Sequence, residues 1–204
     1  WRMSFAGWVL RARPDAPTPD GRIQANAAAD PGVPSATLAE LTRPHVRDAF
    51  LTAVFANHRL RLTPPTDQRD LQALHAREKY LLMAHSPDTH RRLGRTVSGR
   101  PTEPVRRLAD RYCREACAAL QVPATRARHS SALEHMAGYF KRSLPRAERA
   151  RMHEAITDFR AGLAPLTAPL HLIRAAAQAT RTDDIARQSY LAPYPWPLLL
   201  CTWL

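Results

Sequence analysis

The stretch Val105–Leu120, VRRLADRYCREACAAL, decides the fold class. Its large or apolar residues recur every three or four positions, as on one face of an α-helix. These residues are Val105, Leu108, Tyr112, Ala116 and Leu120. The opposite face carries Arg106, Arg107, Arg111 and Arg114. The spacing therefore predicts an amphipathic, strongly cationic helix whose apolar side packs against a core.

Helix start signals precede this stretch. Thr37 and Glu40 fit a capping box, in which each side chain bonds the other residue's backbone N–H. Pro44 suits the first position of a second helix. Thr66 is the predicted cap of a third, and Thr102 precedes the Val105 helix. The chain up to Leu120 therefore reads as four helices or more.

The same signals continue after the stretch. Ser131 and Glu134 form a second capping-box pattern, Pro145 can start a further helix, and Gly162 can stop it. The ranges 170–179 and 183–190 are the last predicted helices. No alternating strand pattern of useful length appears. We predict an all-α, single-domain helical bundle of about six to eight helices over residues 37–204.

Residues 1–36 differ in composition from the rest of the chain. From Arg11 to Ala36 the sequence is rich in Pro, Ala, Asp and Gly and almost lacks large apolar residues. Such a segment cannot bury enough apolar surface to order itself. We predict a flexible or non-native leader here, with an ordered extended arm as the alternative. Because residue 1 is not methionine, the chain is expected to be a fragment or a trimmed product.

The positive charge is concentrated in one region. The formal net charge is +12, and residues 91–151 hold fifteen basic and five acidic residues, which is +10 of that total. Lys79 and Lys141 are the only lysines among the thirty basic residues. A regional excess of arginine favours a polyanionic partner, nucleic acid before membrane.

The cysteines and histidines do not indicate a cofactor. Three cysteines in a chain of 204 residues are too few for a four-thiolate cluster and not needed as disulfide staples. His85 and His90 have no third ligand at a recognisable spacing, so no metal site is predicted. No apolar run is long enough for a membrane span. We expect a cytoplasmic protein without cofactor.

The stretch Ala84–Arg95, AHSPDTHRRLGR, contains a predicted helix start. Ser86 suits the N-cap, Pro87 the first helical position and Asp88 the first turn. Behind them come Arg91, Arg92 and Arg95. A helix N-terminus beside three guanidinium groups is a pattern that binds phosphate.

One further set of residues adds to the RNA-binding interpretation, and a second set suggests a different function. Lys141 and Arg142 can add phosphate contacts, and the adjoining Tyr139 can stack on an unpaired base, whereas Phe140 fits the core stripe. An enzyme or accessory subunit with a small polar pocket is the alternative function. Its predicted residues are His75, Lys79, His85 and His135. A protein–protein scaffold is the third possibility.

Four blocks of sequence resemble a known family. They are EKYLLMAHSPDTHRRLGRTVSG from Glu78, SALEHMAGYFKRSL from Ser131, FRAGLAPLTAPLHLI from Phe159 and YLAPYP from Tyr190. In order and spacing they resemble the YbgA-like bacterial domain of unknown function, over about residues 47–195. That domain occurs alone or fused behind a TudS-type thiouridine desulfidase domain, where it is associated with tRNA binding. The resemblance implies a tRNA-binding module rather than a catalyst.

The positions that match the family's motifs are His75, Lys79, His85, Ser86, Leu93, Gly94, His135, Gly138, Tyr139, Phe140 and Lys141. The chain departs from the pattern at Ser131, where the family usually has asparagine, and at Arg174–Ala176, where it tends to have Lys-His-Tyr. The resemblance implies that a desulfidase, if one takes part, comes from another chain or a lost segment. The expected RNA contacts are Lys79, Arg91, Arg92, Arg95, Tyr139, Lys141 and Arg142.

Overall fold

A computed structural model describes residues 8–10, 34–62, 64–100 and 103–195. Seven helices of twelve or more residues account for most of this part of the chain. They are α2 (Pro44–Leu62), α3 (Gln68–His85), α4 (Pro87–Ser98), α5 (Val105–Leu120), α6 (Arg126–Ala137), α7 (Arg146–Ala161) and α8 (Thr167–Ala179). The fold is all-α, as the sequence predicts.

Shorter elements complete the described chain. Two helices are only four residues long, α1 (Leu38–Leu41) and α9 (Asp183–Ala186). Two 3₁₀ turns are η1 (Gly138–Phe140) and η2 (Ser189–Leu191). The last predicted helix, 183–190, is thus a short helix followed by a 3₁₀ turn.

One short strand pairing was not predicted from the sequence. The strands β1 (Trp8–Leu10) and β2 (Ser35–Thr37) run parallel, with Trp8 opposite Ser35. Three-residue strands are too short to show a periodic pattern, so sequence patterns do not predict them. The remaining residues of the predicted leader up to residue 33 lie outside the described part.

The predicted helix starts are partly confirmed. The Thr37–Glu40 capping box is present, Pro44 begins α2, and Pro145 caps α7, which ends at Gly162 with a left-handed φ of 80°. Two predictions were wrong. Asp67, not Thr66, caps α3 through the Asp70 N–H, and Thr66 instead donates to the Asp70 carboxylate.

The second error is the capping box at Ser131 and Glu134. Both residues lie inside α6, which begins five residues earlier at Arg126 and is capped by Thr125. The capping-box pattern is short, so it also occurs within helices where the backbone N–H groups are already bonded. The predicted cap Thr102 lies outside the described residues, and Pro104 stands at the N-cap of α5.

The central element is α3, which packs against α4, α5, α6 and η2. Its residues Leu71, Tyr80 and Leu82 are almost fully buried, together with Tyr112 of α5 and Phe140 of η1. The apolar face of α5 is confirmed, because Leu108, Tyr112, Ala116 and Leu120 are buried while its four predicted outer arginines are exposed.

A break at Ser86 folds α4 back along α3. Pro87 disfavours helical backbone at the residue before it, and Ser86 has left the helical region at φ −148° and ψ 89°. Ser86 occupies the predicted N-cap, but its hydroxyl donates to the Thr89 hydroxyl at 3.0 Å rather than accepting from a backbone N–H. At the end of this α3–α4 pair that lies away from Ser86, Gln72 of α3 donates to the Val97 carbonyl of α4 at 3.1 Å.

Candidate functional site

Two cavities lie one after the other along the junction of α3 with α6 and η1. Moving along α3, Lys79 and Tyr80 line the first cavity and Met83 lines the second. Moving back along the chain from η1 into α6, Tyr139 of η1 lines the first cavity and His135 of α6 lines the second. Each step is about one helical turn, or roughly 5.4 Å. We call the two together the α3–α6 cleft.

The first cavity, here the aromatic cavity, has a volume of about 670 Å³. Tyr139 is 49% exposed at its wall, and the Tyr80 ring beside it is buried. Lys79 places its ammonium group 4.9 Å from the centre of the Tyr80 ring. Arg77 and Arg187 add two further cations to the lining. The cavity therefore combines an accessible aromatic face with positive charge.

The two tyrosines of this cavity interact through their hydroxyl groups. Burial, then a side-chain hydrogen bond with Tyr139, raises the pKa of the Tyr80 hydroxyl well above its usual range. The Tyr80 phenol consequently stays neutral at physiological pH. Of the two rings, that of Tyr139 is exposed and can contact a neutral surface such as a base. Asp70 and Asp184 also line the cavity, and Asp70 accepts hydrogen bonds from Thr66.

The second cavity, here the histidine groove, has a volume of about 420 Å³. Basic side chains from two helices face it, His90 and Arg91 from α4 and Arg128 and His135 from α6. Its other lining residues are Met83, Pro87, Ala127 and Ser131. Within the described chain, none of the residues that line this groove carries a carboxylate.

The arginines of the histidine groove are oriented by neighbouring groups. Arg91 pairs with Asp88 one turn earlier on α4, and both side chains are exposed. Arg128 is half-buried and donates through Nη1 to the His85 carbonyl at 3.1 Å. Because a guanidinium has five N–H donors, each of these arginines retains donors for a ligand.

A stacked pair of imidazoles connects the cleft to the interior. The His75 and His90 rings are 5.4 Å apart and nearly parallel, and the Tyr112 hydroxyl lies 3.2 Å from His75 Nδ1. A side chain at Gly94 would have its Cβ only 3.2 Å from His75 Nε2, so glycine allows α4 to approach this ring.

Both stacked histidines are held neutral. Burial, followed by the charges of His90 and Lys79, lowers the pKa of His75 to about 4. Burial and the charges of Lys79, Arg91 and His135 lower the pKa of His90 as well. The three charged groups that act on His90 therefore lie near enough to form one electropositive region along the cleft.

The predicted RNA-contact residues are not all in one place. Lys79 and Tyr139 line the aromatic cavity and Arg91 lines the histidine groove. Arg92 points towards α5, where its Nε and Nη2 donate to Glu115 at 3.1 and 3.0 Å. Arg95 is exposed on α4, and Lys141 and Arg142 are exposed in the turn that follows η1.

The residues of the alternative pocket fall into two groups. His75, Lys79 and His135 surround His90, as the electrostatic contacts above indicate. His85 is fully buried elsewhere, with Nδ1 2.8 Å from the Val122 carbonyl and its ring against that of His129. A carbonyl only accepts, so His85 Nδ1 carries the proton.

Sequence reasoning missed several residues of the cleft. Tyr80, Arg77, Arg128 and Arg187 line it without having been proposed. From the sequence, His90 is considered only as a metal ligand, and no metal site is predicted there. The separations of His90 from Arg128 and His135 exceed any helical period, so only the packing of α4 beside α6 could bring them together.

A third, small cavity of about 20 Å³ has a mostly apolar lining that includes several polar side chains. Asp48, His85, His129 and Tyr190 contribute to its lining. His129 Nδ1 lies 2.8 Å from the Tyr190 hydroxyl, whereas the buried His129 Nε2 has no hydrogen-bond partner among the residues that the structure describes. Burial lowers the pKa of His85 to about 4 and that of His129 to about 3. Both imidazoles are therefore neutral in the folded chain.

These features define an all-α protein with an electropositive, partly aromatic cleft. Comparison with known families places the chain in one of them: it belongs to the family described as "Protein of unknown function (DUF1722)", whose model matches residues 79–195. It is also 32% identical over 130 residues to the Escherichia coli K12 protein called "Uncharacterized protein YbgA". That match covers 62% of this chain and 77% of the relative.

The resemblance to the YbgA-like domain is thereby confirmed, whereas its fusion to a desulfidase stays a prediction. No solved structure matches the chain significantly. In the ranges that the structure describes, no helix has both the length and the apolarity to cross a membrane.

Proposed function

We propose that the protein is an RNA-binding module, with tRNA as its ligand, and that it acts in the cytoplasm. The module would serve as an accessory to thiouridine removal from tRNA, catalysed by another domain or chain. The observation that carries RNA binding is the α3–α6 cleft, in which exposed Tyr139 adjoins Lys79 and the four basic side chains of the histidine groove.

Physical chemistry favours RNA with unpaired bases over duplex DNA as the ligand. Sequence-tolerant recognition of single strands and loops combines an aromatic platform for a base with cations that follow the backbone. The two cavities provide these elements about one helical turn apart, which is close to the spacing of neighbouring groups within a nucleotide. A regular duplex keeps its bases stacked and offers Tyr139 no free face.

The first experiment measures fluorescence anisotropy of the protein with tRNA and with duplex DNA of similar length across a salt series. Tight binding that prefers tRNA and weakens steeply with salt is expected, because phosphate contacts release counterions. Arg91→Gln should reduce the log–log salt slope by about one. Arg106→Gln is the matched control, because Arg106 is exposed on α5 outside the lining of the cleft.

Three outcomes would contradict all or part of the proposal. Equal, weak binding to tRNA and DNA would indicate only a non-specific basic surface. Salt-insensitive association with a desulfidase, without RNA binding, would instead favour the scaffold interpretation. An unchanged salt slope in Arg91→Gln would remove the cleft from the RNA site.

A further inference from the structure

The histidine groove has the composition of a site for a small, highly charged anion. His90, Arg91, Arg128 and His135 face it from two helices, and no carboxylate of the described chain lines it. Asp88 pairs with Arg91 but is 86% exposed in its side chain, so water screens much of its charge. Lys79, which lowers the pKa of His90 through its charge, adds a fifth basic group at the α3 side.

The size and walls of the groove limit what can bind there. Its volume of about 420 Å³ lies within the usual range of small-ligand sites. Met83, Pro87 and Ala127 add apolar surface to the lining. An amphipathic ligand with one compact anionic group therefore fits better than a bare inorganic ion.

The number of donors favours a phosphate monoester over a phosphodiester. A diester within a strand carries a single negative charge. A monoester carries between one and a half and two charges near pH 7 and has three terminal oxygens that accept hydrogen bonds. Two guanidinium groups and two imidazoles supply enough N–H donors for all three oxygens of a monoester. A diester would leave some of these donors without an acceptor.

We propose that the histidine groove binds a phosphate monoester, as found at an RNA end or in a free mononucleotide. The base of the same nucleotide then reaches Tyr139, because His135 and Tyr139 lie one turn apart on the same wall of the cleft. This inference rests on the proposed RNA binding for its RNA-end form. It adds that the module distinguishes a phosphorylated terminus from a hydroxyl terminus.

The test uses one short single-stranded RNA with an internal fluorophore in three forms: 5′-phosphate, 3′-phosphate, and hydroxyl at both ends. Anisotropy gives the affinity of the full chain for each form, and AMP and adenosine serve as competitors. We expect one monoester form to bind at least tenfold more tightly than the hydroxyl form. We also expect AMP to compete and adenosine not to compete.

Two pairs of variants locate the effect. His135→Ala should reduce the monoester preference to less than threefold, whereas His153→Ala, an exposed histidine on α7, should preserve it. Ser131→Glu places a carboxylate in the groove and should abolish the preference. Gln178→Glu adds the same charge at an exposed position of α8 and should leave the monoester preference unchanged. Ser131 and His135 are both exposed, so folding should tolerate their substitution.

The outcomes separate this inference from the proposed function. Equal affinity for all three RNA forms, with no competition by AMP, would overturn the monoester site while salt-dependent tRNA binding stood. Direct binding of fluorescently labelled AMP that is lost in His135→Ala, in a protein that binds no RNA, would support the groove as a mononucleotide site and overturn the RNA proposal. A preference that persists in both His135→Ala and Ser131→Glu would place the monoester elsewhere.

Discussion

Tyr139 is the residue on which the proposed base stacking depends. Its ring is half-exposed at the wall of the aromatic cavity. Stacking of a base on an aromatic side chain contributes about 1–3 kcal/mol. We therefore expect Tyr139→Ala to weaken RNA binding by about tenfold or more, and Tyr139→Phe, which keeps the ring, to bind nearly as well as the native chain. Anisotropy with tRNA measures both.

The control for Tyr139 is Leu163→Ala, since Leu163 is 80% exposed after α7 and outside the cleft lining. If Tyr139→Ala bound like the native chain, stacking at this residue would be wrong. If Tyr139→Phe lost as much affinity as Tyr139→Ala, the hydroxyl and its hydrogen bond with Tyr80 would be the important feature instead.

Tyr139 and Phe140 also show which structural properties of a residue can be predicted from the sequence. Phe140 continues the apolar period of α6 and is fully buried, whereas its neighbour Tyr139 falls off that period and is exposed. Both placements follow from helical geometry alone. The proximity of His90 to His135 does not, because it depends on how α4 and α6 pack, and the sequence holds no local signal for that.

At the scale of elements, Glu78 connects α3 to two other parts of the fold. Its carboxylate is 1% exposed and accepts from Arg59 of α2 at 3.2 Å and from the Ser189 hydroxyl of η2 at 2.7 Å. Arg59 also donates to the Pro193 carbonyl. Glu78 therefore holds the segment after α9 against the centre of the bundle.

Removing this carboxylate should destabilise the fold markedly. Glu78→Ala removes the acceptor of the Ser189 hydroxyl and the ion-pair partner of Arg59, which keeps the Pro193 carbonyl. Breaking a buried ion pair costs about 3–5 kcal/mol. Arg59 is partly exposed, so we expect a value near the lower limit, measured by urea unfolding at neutral pH. Glu134→Ala, which breaks an exposed pair with Arg160, should cost less than about 1 kcal/mol. A similar decrease in the free energy of unfolding in the two variants would rule out a structural role for the hydrogen bonds of Glu78 with Arg59 and Ser189.

The helix boundaries show how far local signals reach at this scale. Pro44 and Pro145 mark true starts because the ring fixes φ wherever proline stands. The Ser131–Glu134 pattern failed because a capping box acts only where backbone N–H groups are free, and Thr125 had already begun α6. The all-α class and the seven long helices were predictable. The β1–β2 pairing is too short to give a pattern, and the cleft between α3, α4 and α6 depends on how these helices pack.

For the whole molecule, the buried histidines make stability depend on pH. His85 and His129 have pKa values of about 4 and 3 in the fold, against an ordinary value of 6.5. Below pH 6.5 the unfolded chain therefore binds protons that the folded chain does not, and stability falls as the pH is lowered towards 4. Each of the two should contribute a loss of about 2 kcal/mol between pH 7 and pH 5.

His129→Gln tests this prediction, because glutamine can still hydrogen-bond the Tyr190 hydroxyl but does not titrate. Urea unfolding at pH 7 and pH 5 should show that the acid-induced loss is about 2 kcal/mol smaller than in the native chain. The raised pKa of buried Asp48 acts in the opposite direction but is present in both proteins, so the difference cancels it. His153→Gln, on the surface of α7, should leave the acid-induced loss unchanged. If the loss were the same in His129→Gln as in the native chain, acid sensitivity would have to come from groups other than the imidazole beside Tyr190.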